Sequence, residues 1–299
     1  MLHRIRTFLL FSRLHTVIGT TVSIISLYLI ALSQNSSSSM HFLSLLLTWV
    51  ACLGANIYIV GLNQLTDIDI DKLNKPYLPL ASGAYTVPIA RRIIFISLMI
   101  SIGIGLYYGG FLLATILISL ILGTIYSLPP FRLKRFYFWA AFCIITIRGL
   151  VVNFGLFLHF NHVINQSLVI PPVIWMLAST IFVFSLIIAW FKDIPDMEGD
   201  QRHQINTLSI KLGAKQVFFM GNLILLILFI VIILIAFLYP GYWNSKVLIV
   251  SQSIFIFSLL IVSSRIRPGE KKSMAPYYQF IWLLFFMEYI VFGFSAFNH

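Results

Sequence analysis

The sequence predicts an all-α, polytopic membrane protein with nine transmembrane helices. Three observations lead there. First, 60% of the residues are hydrophobic and only 10% are charged, whereas soluble domains have about 45–50% apolar and about 25% charged residues. Second, nine stretches are long and apolar enough to span a bilayer, which takes about 20 mostly apolar residues. Third, the basic residues alternate between the two sides that these spans define.

The predicted spans run through 15–33, 41–62, 90–108, 110–128, 138–158, 170–191, 216–238, 244–264 and 277–297. One set of termini and loops carries Arg4, Arg6, Arg13, the pairs Lys72/Lys75 and Arg91/Arg92, and then Arg132, Lys134 and Arg135. Further along it carries Lys192, Arg202, Lys211 and Lys215, and finally Arg265, Arg267, Lys271 and Lys272; these are 18 of the 20 basic residues. The opposite set carries only Lys246. An excess of Lys and Arg marks cytoplasmic loops. The N-terminus is therefore expected in the cytoplasm and the C-terminus on the far side. Met1–Ser12 is short and basic, but the apolar stretch after it is long enough to span, so no cleavable presequence is expected. One integral-membrane domain covering 1–299 is expected, in a bacterial inner or thylakoid-type membrane. The sequence leaves the oligomeric state open.

The net charge of +11 does not indicate a nucleic-acid partner, because the cations are spread over loops between apolar spans. Cys52 and Cys143 both lie inside apolar stretches, which leaves no disulfide framework and no thiolate metal site.

All the aspartates fall in two short clusters. Asp67, Asp69 and Asp71 follow the second span, and Asp193, Asp196 and Asp200 follow the sixth. Glu198, Glu270 and Glu288 are the remaining acids. Carboxylates are costly near a bilayer and persist there chiefly at functional sites. Asn63, Asp67 and Asp71 are spaced i, i+4, i+8, and on a continuous helix they form one stripe. Asp193, Asp196 and Asp200 are spaced i, i+3, i+7, again on one face. Asp69 points away from the first stripe. Oxygen-only ligands suit Mg²⁺, which pairs one or two carboxylates with substrate phosphates. Two facing acidic stripes thus point to one shared cation site and a polyanionic substrate. The basic residues beside both clusters, Lys192, Arg202 and Arg132 to Arg135, are suited to clamping phosphate oxygens. A weak internal repeat accompanies the clusters: each is followed by a short segment and a Gly-Ala pair, Gly83-Ala84 and Gly213-Ala214.

Arg148 lies well inside the fifth span. A charge at that depth faces a cavity or a partner; Glu288, in the ninth span, is the alternative partner. Pro195 is expected to break the helix at the second cluster, since it lacks an N–H and disfavours helical geometry at Ile194.

Several strings resemble the UbiA superfamily of intramembrane prenyltransferases. Asn63-x-x-x-Asp67-x-x-x-Asp71 is similar to its first aspartate-rich motif and Asp196-x-x-x-Asp200 to the core of its second. The stretches 63–79, 126–134 and 192–200, together with Arg148-Gly149 and Asn153, resemble the homogentisate prenyltransferase branch, as does Phe11-Ser-Arg13-Leu-His15-Thr16. The resemblance implies nine helices around a central cavity. It implies a prenyl diphosphate held through Mg²⁺ by Asp67, Asp71, Asp196 and Asp200 with Asn63 assisting, and an apolar tunnel open to membrane lipid. It implies that the ring of an aromatic acid, homogentisate, attacks the prenyl group with loss of CO₂. Arg13, Tyr126, Lys134, Arg148, Asn153, Lys192, Asp193 and Arg202 are the substrate-binding candidates, with Arg148 or Arg13 receiving the acid's carboxylate. A different aromatic acceptor, a hydroxybenzoate or naphthoate, and an ion-coupled transporter are the competing readings. Prenyl length is not legible.

Overall fold

The computed structural model describes residues 2–34, 41–202 and 207–297, with the side chains of 2, 3, 137, 198–200 and 202 outside the description. A short helix α1 (Leu2–Phe11) leads into α2 (Leu14–Ser33) and α3 (Phe42–Thr66), which is followed by the small α4 (Ile68–Asn74). Then come α5 (Val87–Tyr108), α6 (Gly110–Ser127) and α7 (Tyr137–Ile145). A π-helical turn, Thr146–Val151, joins α7 to α8 (Val152–Asn165). The long α9 (Pro172–Arg202), the short α10 (Leu208–Leu212), and α11 (Ala214–Leu238), α12 (Ser245–Ser263) and α13 (Lys271–Ser295) complete the chain.

Among the described residues, nine helical stretches are long and apolar enough to cross a membrane, so this is an integral membrane protein. The fifth crosses as α7, the π turn and α8 together, 138–165. In lipid every backbone polar group must bond within the segment, which is why an apolar chain of this kind folds as helices. The second and sixth spans run past their expected ends because hydropathy falls where polar or charged residues begin, at Asn63 and at Lys192, while the backbone stays helical.

α9 and α13 form the centre. Of their spanning windows 61% and 56% are buried, against 44% or less in the other spans. α13 packs between α2 and α9, α8 closes on α2, and α11 pairs with α12. The main core joins Leu27, Phe157, Ile181, Phe184 and Phe285 from these helices. The most extensive pairing is α3 with α5, and small residues allow it. A Cβ placed on Gly54 would lie 2.8 Å from the Ser97 carbonyl oxygen. Small residues at helix interfaces let backbones approach closely, which drives association in lipid.

Two local expectations need correction. Pro195 lies inside α9, which runs unbroken through it. The interior-proline penalty of about 3 kcal/mol is met by packing, since α9 is the most buried span and is held by α7, α11 and α13. The break falls instead at the first cluster. Asp67 has φ −118° and ψ 19°, so α3 stops there and α4 begins. Asn63 and Asp71 therefore sit on two helices rather than along one stripe. The segments that lead from the second and sixth spans to the next share a design: a short helix, α4 or α10, and then a glycine with positive φ before the next span, Gly83 with φ 77° and Gly213 with φ 85°.

Substituting Gly54 by Val is expected to wedge α3 from α5 and to destabilise the protein by about 1–3 kcal/mol. Thermal unfolding in detergent measures this; an unchanged midpoint would mean that the close approach is not needed.

Candidate active site

The break at Asp67 turns α4 across the end of α9. A cavity of about 750 Å³ opens between these elements, the α6 terminus and α7. Its mouth holds Asn63, Asp67, Asp71, Asp193 and Asp196, and the cations Arg13, Lys75, Arg132, Lys134 and Lys192. Tyr126, Phe138 and Trp190 are its aromatic lining.

The carboxylates are held by charge. Lys134 Nζ is 2.6 Å and Arg132 Nη2 3.2 Å from Asp67 Oδ1. Asn63 Nδ2 donates to Asp67 Oδ2 at 3.2 Å. Lys75 Nζ donates to Asp196 Oδ2 at 2.5 Å, joining the α4 loop to α9. Arg13 Nη2 donates to Asn63 Oδ1 at 3.3 Å. Asp71 is buried, 6% exposed, and among the described residues no ion pair is formed by its side chain. Burial pushes its carboxyl above the ordinary carboxylate value, against the pull of Arg13 and Lys75. Burial also lowers the Lys134 ammonium to about 8, opposed by Asp67. Each shift shows a charge taken from water without full compensation.

Backbone strain positions two of the cations. Three non-glycine residues have positive φ among the described residues, and Arg13 (φ 52°) and Arg132 (φ 39°) are two of them. Such conformations cost about 1–3 kcal/mol and persist where the surroundings hold them. Arg13 is held through Gln64, a fully buried side chain whose Nε2 donates to the Phe11 carbonyl at 2.6 Å. Arg132 bonds the Thr66 carbonyl and Lys134 the Thr66 hydroxyl.

The cavity thus brings together nine of the residues expected from sequence: Asn63, Asp67, Asp71, Asp196, Arg13, Tyr126, Lys134, Lys192 and Asp193. The side chains of Asp200 and Arg202 lie outside the described residues. Asp69 is at the rim, paired with Lys72 at 3.0 Å, with its side chain 85% exposed. Arg132, expected as a phosphate clamp, lines the cavity as well, while Lys75, Thr66 and Gln64 are not among the expected site residues. Each lies within or beside the strings that carry the family resemblance, so the signal was present but could not be resolved into roles.

Arg148 and Asn153 do not line this cavity. Asn153 is fully buried, donating to the Arg148 and Gly149 carbonyls and accepting from the Tyr289 hydroxyl at 2.9 Å. Its amide is used up in bracing the π turn and α13, which leaves nothing for a substrate. Arg148 projects from the π turn into a second, smaller cavity of about 110 Å³, beside Thr16, Asn56, Ser119 and Tyr289. Its guanidinium carbon lies 4.7 Å from the Trp282 ring centroid. Glu288 is not its partner: Glu288 Oε2 accepts from Gln252 at 3.0 Å.

Residues 21–284 match the UbiA prenyltransferase family. The chain belongs to that family. A homogentisate phytyltransferase from Synechocystis is 45% identical over 96% of this chain and 94% of its own length. A chloroplastic homogentisate solanesyltransferase from Arabidopsis thaliana is 37% identical over 95% of this chain and 75% of its own. Among solved structures, a UbiA homologue from Archaeoglobus fulgidus bound to GPP and Mg²⁺ superposes with a TM-score of 0.63 at 17% identity, covering 96% of this chain and 99% of that one. An apo UbiA homologue from Aeropyrum pernix gives 0.67 at 16%, covering 93% and 95%. At these identities the structural likeness speaks for the fold alone. Membership sets aside the transporter reading.

The donor set suits a hard divalent cation. Asp67, Asp71, Asp196 and Asn63 offer oxygen, and among the described residues no His or Cys lines the cavity. Among the described residues no three acidic, His or Cys side chains converge into a ready-made cage. That is the open arrangement Mg²⁺ uses when substrate phosphates supply the remaining ligands.

Replacing Asp67 by Ala removes the counter-charge of Lys134 and Arg132 and is expected to cost about 3 kcal/mol of stability. Asp69→Ala, at an exposed pair, should change it by less than about 1 kcal/mol. Melting of both variants in detergent checks the contrast, and equal effects would contradict the assigned burial.

Proposed function

We propose that this protein transfers a prenyl group from a prenyl diphosphate to homogentisate, with decarboxylation, for tocopherol- or plastoquinone-type prenylquinone synthesis. The observation that carries the reading is the 45% identity to a homogentisate phytyltransferase along almost the whole length of both chains. We take 1–299 as one membrane domain with its acidic mouth on the cytoplasmic side of a bacterial inner or thylakoid-type membrane.

Asp67, Asp71 and Asp196, with Asn63 and Asp200, would hold Mg²⁺. When bound, it neutralises the diphosphate and stabilises the charge on the departing group. Lys134, Arg132 and Lys75 are engaged with carboxylates here. In the reaction they turn to the diphosphate oxygens, where preorganised cations stabilise developing charge. Arg13 and Lys192 close the same ring of donors. The C–O bond to the diphosphate breaks and leaves an allylic cation in the water-poor part of the cavity. The homogentisate ring forms the new C–C bond and loses its ring proton. Its carboxylate departs as CO₂, and a proton takes that place on the side-chain carbon.

The small cavity suits the acceptor. Its hydroxyl and amide groups match a hydroxylated ring, and Arg148 offers a buried guanidinium with Trp282 behind it. A cation at that depth gains most from an anion brought by the substrate. Arg148 is therefore preferred over Arg13, which is engaged with Asn63, as the carboxylate receiver.

Product analysis by mass spectrometry tests the reading, with purified protein, Mg²⁺, homogentisate and a series of prenyl diphosphates, and Asp67→Ala as control. A decarboxylated prenyl-quinol absent from the control is expected. A product formed only from another aromatic acid would replace homogentisate. Arg148→Ala should raise KM for homogentisate by about tenfold or more, the scale of a lost charge-assisted hydrogen bond. It should leave KM for the diphosphate unchanged; a rise in the diphosphate KM alone would reverse the assignment.

A further inference from the structure

The small cavity has a hydrogen-bonding polarity of its own. Most of the hydroxyls on its wall already donate to the protein. Ser119 donates to the Thr115 carbonyl at 2.7 Å, Thr115 to the Phe111 carbonyl at 2.7 Å and Ser23 to the Thr20 carbonyl at 2.9 Å. The Tyr289 hydroxyl donates to Asn153 Oδ1. A hydroxyl has one proton and two lone pairs, so each of these groups is left as an acceptor toward a ligand. Thr20 is the remaining hydroxyl on the wall; it makes no such bond among the described residues and can take either role.

Asn56 is locked into the same sense. The Thr16 hydroxyl donates to backbone carbonyls of the preceding turn, Arg13 at 2.8 Å and Ser12 at 3.1 Å. Toward Asn56 it therefore offers a lone pair, and Asn56 Nδ2 donates to it at 3.0 Å. The flipped amide would set oxygen against oxygen. Asn56 Oδ1 is thus turned away from Thr16, and it accepts from no donor among the described residues. Arg148 is the counterweight. Its guanidinium forms no ion pair among the described residues and stands against the Trp282 ring, whose own Nε1 is buried out of a ligand's reach. The wall therefore combines one cation with a set of lone pairs.

We propose that this chamber reads the oxidation state of the acceptor: it admits an aromatic acid whose ring carries hydroxyl donors and rejects the quinone of the same acid, with Asn56 as the specificity-determining residue. The proposal rests on the assignment of the small cavity to the acceptor made above. The diphenol and its quinone share a carbon frame and a carboxylate, so Arg148 holds both alike. They differ in that two O–H donors become two more acceptors. Against Asn56 Oδ1 and the engaged hydroxyls, a quinone sets lone pair against lone pair, and both sides stay unpaired away from water. A site built to bond a ligand hydroxyl rejects an analogue without it far more strongly than an apolar pocket rejects a change of size. The selection serves the reaction, since an electron-poor quinone ring cannot attack an allylic cation and would occupy the site without turnover.

The experiment compares ligands of nearly constant shape. Affinities are measured by calorimetry on the full-length protein with Mg²⁺ and inorganic pyrophosphate present. One pair is homogentisate and 2,5-difluorophenylacetate, and the second is 4-hydroxybenzoate and 4-fluorobenzoate. The quinone of homogentisate is measured by rapid displacement, because Cys52 lines the same cavity and thiols add to quinones. Homogentisate should bind about tenfold or more tighter than its fluorine analogue and its quinone, the scale of a buried acceptor left unpaired. Asn56→Leu should remove most of that preference. Thr16→Val frees the Asn56 amide to turn and should also reduce it, while a simple loss of packing would weaken all the ligands equally. Stabilisation by Mg²⁺ with pyrophosphate verifies that each variant is folded. If homogentisate proves to be the wrong acceptor, a hydroxyl-over-fluorine preference in the benzoate pair that Asn56→Leu abolishes still supports the proposal. Equal affinities within both pairs would overturn it whichever acid is turned over. An undiminished preference in both Asn56→Leu and Thr16→Val would overturn it too.

Discussion

Two charge contacts hold the acidic end of this bundle together: Lys75 with Asp196 and Lys134 with Asp67. Each lies where an apolar helical bundle meets water, and each joins segments far apart in sequence. Removing a carboxylate from water costs several kcal/mol unless a cation compensates it. The rest of the site follows from that constraint. α3 stops at Asp67, the loop before α7 bends back with Arg132 in a left-handed conformation, and Gln64 pins the Phe11 carbonyl so that Arg13 reaches Asn63. The cations that neutralise the acids in this state are the same groups proposed to receive the diphosphate. Substrate and metal would thus exchange partners with the protein rather than impose new buried charge.

The two cavities divide the chemistry by polarity. The larger one joins a charged mouth to an apolar slot, and the smaller one offers Arg148, hydroxyls and an aromatic face. A molecule with an anionic head and a long hydrocarbon tail matches the first. A small hydroxylated aromatic acid matches the second. The π turn that carries Arg148 is stabilised by Asn153 from below, and Gly149 in the same turn lets α9 approach, since a Cβ there would sit 2.9 Å from the Phe182 Cα. π turns inside helices recur at functional sites, and this one aims a charge away from lipid.

The nine spans and the acidic clusters were legible because hydropathy and charge are properties of the residues themselves. The break at Asp67 was not, because the i, i+4, i+8 spacing fits a helix and only tertiary contacts with α9 and the Arg132 loop reveal the turn. Pro195 misled for the opposite reason: its local preference is clear, and the packing of α9 overrides it. Asn153 was read toward the substrate from its resemblance string, although its amide is consumed inside the protein. Sequence offers Lys75 as one of several possible partners of the acids and Arg132 as a phosphate clamp, but loop cations follow equally from membrane orientation, so the particular pairs Lys75–Asp196 and Arg132–Asp67 are visible only in the structure. The separation of Arg148 from the main cavity depends on how α2, α3, α6 and α13 enclose it, which no periodicity encodes.

The central claim is that the two acidic clusters form one site. The direct measurement is a double-mutant cycle on Asp67→Ala and Asp196→Ala, read as the affinity of a prenyl diphosphate in the presence of Mg²⁺ by calorimetry. One shared site predicts strong non-additivity: either substitution alone abolishes Mg²⁺-dependent binding, and the double variant loses little more. Independent losses that add within about 0.5 kcal/mol would mean that the clusters act separately, and the account would fail.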